Sequence, residues 1–234
     1  MTPPDKRLPG TPQQRTRIKM CGFTREADVL AACAAGADAI GFVLYPPSPR
    51  SVSIERAADL ARFLPAFVTP VLLFVNDTPE RIQAACAAVP GALLQFHGDE
   101  SPEFCEAMSL ATGRPHLKAA RIPLSEAADF DLLEFTLLHH QAQALLLDAH
   151  VDGFGGGGKT FNWSLLPTNV KAHLVLSGGL TPANVGDGIR TLRTHGLSLA
   201  VDVSSGIEAG KGLKDAEKIQ QFVAAVRAAD ADLL

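Results

Sequence analysis

Glycines and serines in the last third of the chain have the types and spacing that bind a phosphate group. Gly178 and Gly179 follow the apolar run HLVL, and Ser204 and Ser205 follow the run LAVDV. Glycine lets backbone N–H groups approach an anion closely, and serine hydroxyls add further donors. A short helix beginning near Ser205 would also direct its N-terminus at the phosphate. Both segments could instead be simple tight turns, but the presence of two favours an anion site.

A third glycine-rich segment, residues 153–160, satisfies the pattern G-x-x-x-x-G-K-[ST] of nucleotide-binding loops. Such a loop needs a long helix that begins at its Lys-Thr pair. Here Asn162 is a predicted N-cap, and Pro167 leaves room for little more than one helical turn. Four consecutive glycines also satisfy the pattern easily by chance. The sequence therefore predicts that this segment is not a nucleotide site.

The composition limits the classes of function. The chain has 234 residues, 47% of them hydrophobic, and a formal net charge of −4. This charge argues against general binding to nucleic acid or to a membrane surface, and no apolar run reaches the ~18 residues of a membrane span. The four cysteines form no C-x-x-C pair and no metal-ligand spacing, which predicts a cytoplasmic protein without disulfides or a metal. Residues 1–16 are predicted to be a flexible leader.

Eight short apolar runs, each followed by a helical pattern, predict eight strands. Most are apolar throughout, as is typical of parallel strands that are buried on both faces. An open doubly wound sheet could hold eight such units, but the size favours a (β/α)8 TIM barrel as a single domain over residues 17–234. The predicted strands are 17–23, 39–45, 70–76, 92–98, 116–122, 144–150, 173–179 and 199–206.

Hydroxyl side chains before the helical patterns predict where helices begin. The predicted N-caps are Thr24, Ser53, Thr78, Ser101 and Thr181, the last three of which precede a proline. The last helix shows an apolar face made by Ile219, Phe222, Val223 and Val226. A helix between Ser125 and His140 has the weakest pattern.

The chemistry of a (β/α)8 barrel lies at the C-terminal ends of its strands. Unusual polar residues stand at these ends in this sequence, and Arg50 lies in the loop after the second strand. The two phosphate-binding candidates follow strands seven and eight, where barrels of this kind often hold a phosphate. The other polar residues at predicted strand ends are Cys21, Asn76, Gln95, His97, Arg121, Asp148 and Asp202.

Several motifs in the same order resemble the phosphoribosylanthranilate isomerase family of tryptophan biosynthesis. They are KMCGFT, GADAIGFVLYPPSPRSVS, VLLFVN, LLQFHGDE, GGGGKTFNW, LSGGLTPANV and AVDVSSGIE. The resemblance runs from about residue 17 to the C-terminal helix and implies a (β/α)8 barrel. It also implies an Amadori rearrangement of N-(5-phosphoribosyl)anthranilate to the carboxyphenylamino-deoxyribulose phosphate, without a metal or redox cofactor.

The resemblance implies catalytic and binding roles for the residues that match the family's motifs. Cys21 matches the family's general base, Asp148 its general acid, and Arg50 the arginine that pairs with the anthranilate carboxylate. A thiol with an ordinary pKa of about 8.5 would need a modest downward shift to serve as a base, and a carboxylic acid would need an upward shift, which desolvation can supply. The predicted substrate-binding residues are Arg50, His97, Gly178, Gly179, Asp202, Ser204 and Ser205.

Residues 153–160 resemble the family's mobile loop after strand six, in which related sequences commonly carry Asp where Asn162 stands. Two alternatives stay open: another phosphosugar isomerase or synthase on the same barrel, and a phosphosugar-binding protein without activity. The expected partner is a small phosphorylated aminosugar, with no nucleic acid and no membrane, and the expected state is a monomer or homodimer.

Overall fold

Eight parallel strands close into a barrel in which each strand pairs with the next and the last returns to the first. The computed structural model describes residues 15–124, 130–149 and 160–232. The predicted (β/α)8 fold class is confirmed, and most strands end a few residues earlier than predicted. The strands are β1 (Arg17–Cys21), β2 (Ala39–Val43), β3 (Thr69–Phe74), β4 (Leu93–Phe96), β5 (His116–Ile122), β6 (Ala144–Ala149), β7 (His173–Leu176) and β8 (Ser198–Val203).

Seven α-helices in the described residues surround the barrel. They are α1 (Glu26–Ala35), α2 (Ile54–Ala61), α3 (Pro79–Ala88), α4 (Pro102–Thr112), α5 (Leu132–Leu138), α6 (Val185–Leu192) and α7 (Ala216–Ala231). Between β6 and β7, the described residues contain a 3-10 turn, Trp163–Leu165, which agrees with the expectation that Pro167 leaves room for little more than one helical turn. Leu166 is extended, as expected for a residue that precedes a proline.

Three of the five predicted hydroxyl N-caps are confirmed. Ser53, Thr78 and Ser101 each accept a hydrogen bond from the backbone N–H three residues later. The prediction is wrong for Thr24, whose hydroxyl donates to the carbonyl of Gly212, and α1 has no side-chain cap bond. It is also wrong for Thr181, because residues 181–184 form a turn before α6.

The alternation of side chains along the strands separates two apolar layers. Ile18 and Met20 of β1 point outward into the main core between the barrel and the helices. Lys19 and Cys21 point into the barrel. The interior is filled by one apolar cluster that includes Val71 and Leu146, and by a second near the mouth made by Cys21, Val43, Leu73 and Val75.

The C-terminal helix α7 packs its predicted apolar face on the barrel. Ile219, Phe222 and Val226 are buried, and Val223 is half-buried. At the other end of the chain, Thr16 is buried and its backbone N–H donates to Asp230 of α7. Among the described helices, none is long and apolar enough to cross a membrane.

Some predictions fall outside the described residues. These are residues 1–14 of the predicted leader, the start at Ser125 of the weakly predicted helix, and residues 153–159 of the glycine-rich loop. The helix itself is confirmed as α5, which begins after Asp131, whose carboxylate accepts from the N–H groups of Leu133 and Glu134. Asn162 is confirmed as an N-cap.

Candidate active site

Cys21 ends β1 with its side chain buried inside the mouth of the barrel. Burial raises the pKa of the thiol, while the ammonium groups of Lys19 and Lys214 act in the opposite direction. The pKa of Cys21 therefore lies above its ordinary value rather than below it. The physical reason is that desolvation of the thiolate outweighs the attraction of the two cations.

A buried ion pair lies directly below Cys21. Nζ of Lys19 is 2.8 Å from Oδ1 of Asp202, on the neighbouring strand β8. Burial favours the neutral amine, but the pKa of Lys19 is raised because Asp202 and Cys21 stabilise the cation. Burial also raises the pKa of Asp202. The pair places a positive charge at the base of the site, next to the thiol.

Asp148 ends β6 and is held by hydrogen bonds on both carboxylate oxygens. Its Oδ2 is 2.9 Å from Nε2 of His97, and its Oδ1 accepts from the backbone N–H of Ala149 at 3.0 Å. Nδ1 of His97 lies 2.9 Å from Nε2 of Gln95. The three side chains of Gln95, His97 and Asp148 are all buried. Two predicted site residues are thus brought into direct contact.

Arg50 is fixed by a carboxylate that the sequence analysis did not assign to the site. Its Nε and Nη2 donate to Glu208, each at 2.8 Å. Lys214 donates to the same carboxylate at 2.9 Å and to the carbonyl of Ser204 at 3.0 Å. Burial works against ionisation of Glu208, yet its pKa is lowered because Arg50 and Lys214 hold the carboxylate.

The loops after β7 and β8 touch each other, as the predicted phosphate site requires. Gly178 and Gly179 have positive φ angles of 75° and 63°. A Cβ atom on Gly206 would overlap the carbonyl oxygen of Leu180, so only glycine allows this approach of the two loops. Ser205 begins a 3-10 turn, Ser205–Ile207.

The hydroxyl of Ser204 has a different partner from the one predicted. It donates to the carbonyl of Cys21 at 3.0 Å, which ties the β8 loop to the end of β1. The Ser204 hydroxyl is thus engaged, and the hydroxyl of Ser205 and backbone N–H groups of the two loops are candidate donors to an anion. Gly178 packs against the carboxylate of Asp148, since a Cβ atom there would lie 3.0 Å from Oδ1 of Asp148.

Residues 18–225 match the family model of N-(5'-phosphoribosyl)anthranilate (PRA) isomerase. The chain belongs to the N-(5'-phosphoribosyl)anthranilate isomerase family. It is 59% identical over 217 residues to the isomerase of Leptothrix cholodnii, with 93% of each chain covered. It is 58% identical to that of Methylibium petroleiphilum, with 93% of this chain and 96% of the relative covered.

Solved structures of this isomerase family share the barrel. The crystal structure of phosphoribosyl anthranilate isomerase from Thermotoga maritima is similar at a TM-score of 0.79 and 39% identity, over 91% of this chain and 99% of that chain. A second crystal structure of a phosphoribosyl anthranilate isomerase holds reduced 1-(o-carboxyphenylamino)-1-deoxyribulose 5-phosphate. It is similar at a TM-score of 0.76 and 37% identity, over 91% of this chain and 99% of that chain.

Reasoning from the sequence missed the charged residues that support the isomerase site: Lys19, Glu208 and Lys214. The position of Lys19 was a usable signal, because it stands two residues before Cys21 among the apolar residues of β1 and must share its inward face. Glu208 ends the motif AVDVSSGIE, but nothing local in the sequence identifies its partner Arg50.

Proposed function

We propose that this chain catalyses the Amadori rearrangement of N-(5-phosphoribosyl)anthranilate, with Cys21 as general base and Asp148 as general acid. One observation carries the assignment of roles. The two loops suited to the phosphate each touch one of the proton-transfer residues: Ser204 is bonded to Cys21, and Gly178 packs against Asp148. A sugar phosphate anchored there has its ring between the thiol and the carboxyl group.

The chemistry needs only proton transfers. Asp148 gives a proton to the furanose ring oxygen, which opens the ring to a Schiff base. Cys21 then removes the proton from C2', and tautomerisation completes the product. The thiol must ionise for this step, so the ammonium groups of Lys19 and Lys214 next to it favour the reactive form.

The remaining site residues bind the two anionic ends of the substrate. Backbone N–H groups of Gly178 and Gly179, with the hydroxyl of Ser205, hold the phosphate, and Ser204 ties the β8 loop to the end of β1. Nη1 of Arg50, which has no acceptor among the described residues, pairs with the anthranilate carboxylate. His97 and Asp202 line the wall between these ends. A phosphate and a carboxylate are both present in the ligand named for the similar complex.

The test is an assay with freshly generated phosphoribosylanthranilate that follows the loss of its fluorescence. Wild-type enzyme should convert it, while Cys21→Ser and Asp148→Asn should each lower kcat by roughly 10²–10⁴-fold, the usual contribution of one proton-transfer group. Cys33→Ser, a substitution of a half-buried helix cysteine, is the matched control and should keep full activity. Binding of substrate without turnover, or near-normal turnover by Cys21→Ser, would overturn the assignment.

We further propose that the chain works in the cytoplasm as one catalytic domain over residues 17–234, on a small phosphorylated aminosugar and without nucleic acid or a membrane. Its state is a monomer or a homodimer. One structural relative, 35% identical to this chain, is described as generated monomers of the dimeric isomerase from Thermotoga maritima. Light scattering over a concentration series distinguishes the two states, and a larger assembly would contradict both.

A further inference from the structure

A buried ion pair between Glu100 and Lys118 lies behind the barrel mouth, outside the site described above. Nζ of Lys118 is 2.8 Å from Oε2 of Glu100, and both side chains are almost fully buried. Lys118 points away from the barrel interior, because its neighbours Leu117 and Ala119 in β5 belong to the interior apolar cluster. The pair therefore faces away from a substrate in the mouth, and its effect on the reaction is transmitted through the backbone.

The carboxylate of Glu100 accepts hydrogen bonds from the ends of two strands. Its Oε1 accepts from the backbone N–H of Asn76, which follows β3, at 2.8 Å. Its Oε2 accepts from the backbone N–H of Gly98, which follows β4, at 3.0 Å. Nζ of Lys118 also donates to the carbonyl of Gly98 at 2.8 Å. The ion pair thus holds both the N–H and the C=O of Gly98, and it links the ends of β3 and β4 to β5.

The surroundings of Glu100 require a carboxylate. Two backbone N–H groups and one ammonium group converge on its two oxygens, and a glutamine would present its NH2 group to at least one of these donors. Compared with apolar side chains of similar volume, a buried ion pair often adds no stability. What this pair supplies is a fixed backbone geometry.

The backbone beside the pair has a conformation that needs such support. Asn76 has a φ angle of 50°, in the left-handed region that favours glycine. Its Oδ1 accepts from the backbone N–H of Asp99 at 2.8 Å. A Cβ atom on Gly98 would lie 2.5 Å from the same oxygen, so the two loops are in close contact. Strained backbone persists only where the surrounding contacts fix it, and it is typical of functional sites.

The segment that is fixed in this way contains His97. The backbone N–H of His97 donates to the carbonyl of Phe74 at 2.9 Å, and the next N–H, that of Gly98, donates to Glu100. The imidazole lies 2.9 Å from Oδ2 of Asp148. Because the peptide groups on both sides of His97 are held, the position of its ring relative to Asp148 is set.

We propose that Glu100 and Lys118 are positioning residues, which hold the backbone of His97 so that its ring fixes the carboxyl group of Asp148 in the mouth. This role rests on the proposed function, in which Asp148 is the general acid. A displacement of about 1 Å at a reacting group can lower a rate about a hundredfold. The pair therefore acts on the catalytic step through geometry, without contact with the substrate.

Glu100→Gln tests this role through its coupling to His97. The substitution should lower kcat about ten- to hundredfold and change KM less than about threefold. In a His97→Ala background it should lower kcat less than about twofold further, because the ring that it would displace is absent. Losses of equal proportion in the two backgrounds would show that Glu100 does not act through His97.

Asp230→Asn is the matched control for the loss of a buried carboxylate. Asp230 also accepts from a backbone N–H, that of Thr16, and pairs with Arg193, but it lies near the start of β1, at the other end of the barrel. This variant should lower the free energy of unfolding and leave kcat as in the wild type. A loss of kcat equal to that of Glu100→Gln would reduce the effect to general destabilisation and overturn the proposal.

A crystal structure of Glu100→Gln gives a result that needs no turnover. The distance from Nε2 of His97 to Oδ2 of Asp148 should lengthen beyond about 3.5 Å, outside hydrogen-bond range. An unchanged distance would contradict the positioning role even if Asp148→Asn is inactive. A lengthened distance in an enzyme whose Asp148→Asn variant stays active would overturn the proposed function alone.

The wild-type protein decides the matter if Glu100→Gln fails to fold. Hydrogen exchange followed by NMR should show that the amides of Asn76 and Gly98 exchange at least about a hundredfold more slowly than those of an open loop. Asn76 is an exposed residue, so this protection is expected only if Glu100 holds its N–H. Rapid exchange at either amide would overturn the proposal.

Discussion

Arg50 and Glu208 form a two-point ion pair in which Nε–Oε1 and Nη2–Oε2 are each 2.8 Å. The pair joins the loop after β2 to the segment after β8, and both side chains are buried. Because the guanidinium group of Arg50 is held at two of its nitrogens, its position is fixed before any substrate binds. This preorganisation leaves Nη1 in a set position for a carboxylate.

Removing the charge of Arg50 should mainly weaken substrate binding. Arg50→Ala should raise KM by the equivalent of roughly 2–4 kcal/mol, since a desolvated charge pair with the anthranilate carboxylate is lost. Arg50→Lys keeps the positive charge without the planar guanidinium group and should recover little of the lost substrate binding. Steady-state kinetics measure both, with Arg62→Ala, a substitution of an exposed arginine, as the control. Unchanged KM and kcat in Arg50→Ala would place Arg50 outside the site.

The Cys21 thiol should react slowly with alkylating agents at neutral pH. Because burial raises its pKa, the thiolate fraction grows only as pH rises through that elevated value. The rate of iodoacetamide labelling at Cys21, followed by mass spectrometry, should increase with pH to a midpoint above about 8.5. Lys19→Met removes a neighbouring cation and should move the midpoint further upward. A midpoint below that of a free thiol would contradict the structure.

The contact between the β7 and β8 loops should be sensitive to one added methyl group. Gly206→Ala forces the Cβ atom into the carbonyl oxygen of Leu180 and should displace the β8 loop. The expected result is weaker inhibition by inorganic phosphate and a higher KM. Gly210→Ala is the matched control, because a Cβ there meets nothing within 4 Å. Similar inhibition by phosphate in both variants would show that the contact between the β7 and β8 loops does not bind the anion.

Acid should destabilise the protein through its buried histidines. Burial lowers the pKa of His116 and His195, and lowers that of His139 to about 4. The unfolded chain binds protons at about pH 6.5 while the folded chain does not, so stability is complete above that value and falls between about pH 6.5 and 4. His139 alone should account for on the order of 2–3 kcal/mol of this loss.

Urea titrations at a series of pH values measure the effect. His139→Phe should flatten the fall in the free energy of unfolding between about pH 6.5 and 4, since the ring no longer titrates. His140→Phe alters the adjacent exposed histidine and should leave the slope as it is in the wild type. A slope that is the same in all three proteins would remove His139 as the cause.

The strands and most helix starts could be predicted because their causes are local. An apolar run as long as one strand indicates a strand that is buried on both faces. Ser53, Thr78 and Ser101 cap the helices that begin immediately after them. The N-cap predictions for Thr24 and Thr181 were wrong because other contacts decide the local structure. The Thr24 hydroxyl donates to the carbonyl of Gly212, and the Thr181 backbone N–H donates to Asn184 within a turn.

Because barrel sites lie at the C-terminal ends of the strands, the sequence also predicted that Cys21, His97, Asp148 and Asp202 lie at one mouth of the barrel. It could not predict which charged residues form ion pairs. Arg50 and Glu208 are 158 positions apart in the chain, and Lys19 and Asp202 are 183 apart, so no spacing rule connects them. Only closure of the barrel brings β8 against β1 and turns separate charged residues into ion pairs.

By itself, the sequence determined the barrel, the end of the barrel that carries the site and the polar groups at that end. Side-chain alternation and strand length are set by neighbours in the chain. The tertiary structure alone decided which groups meet and what that does to their protons. Desolvation depends on everything packed around a group, and for Cys21 it raises the pKa although the proposed chemistry requires a thiolate.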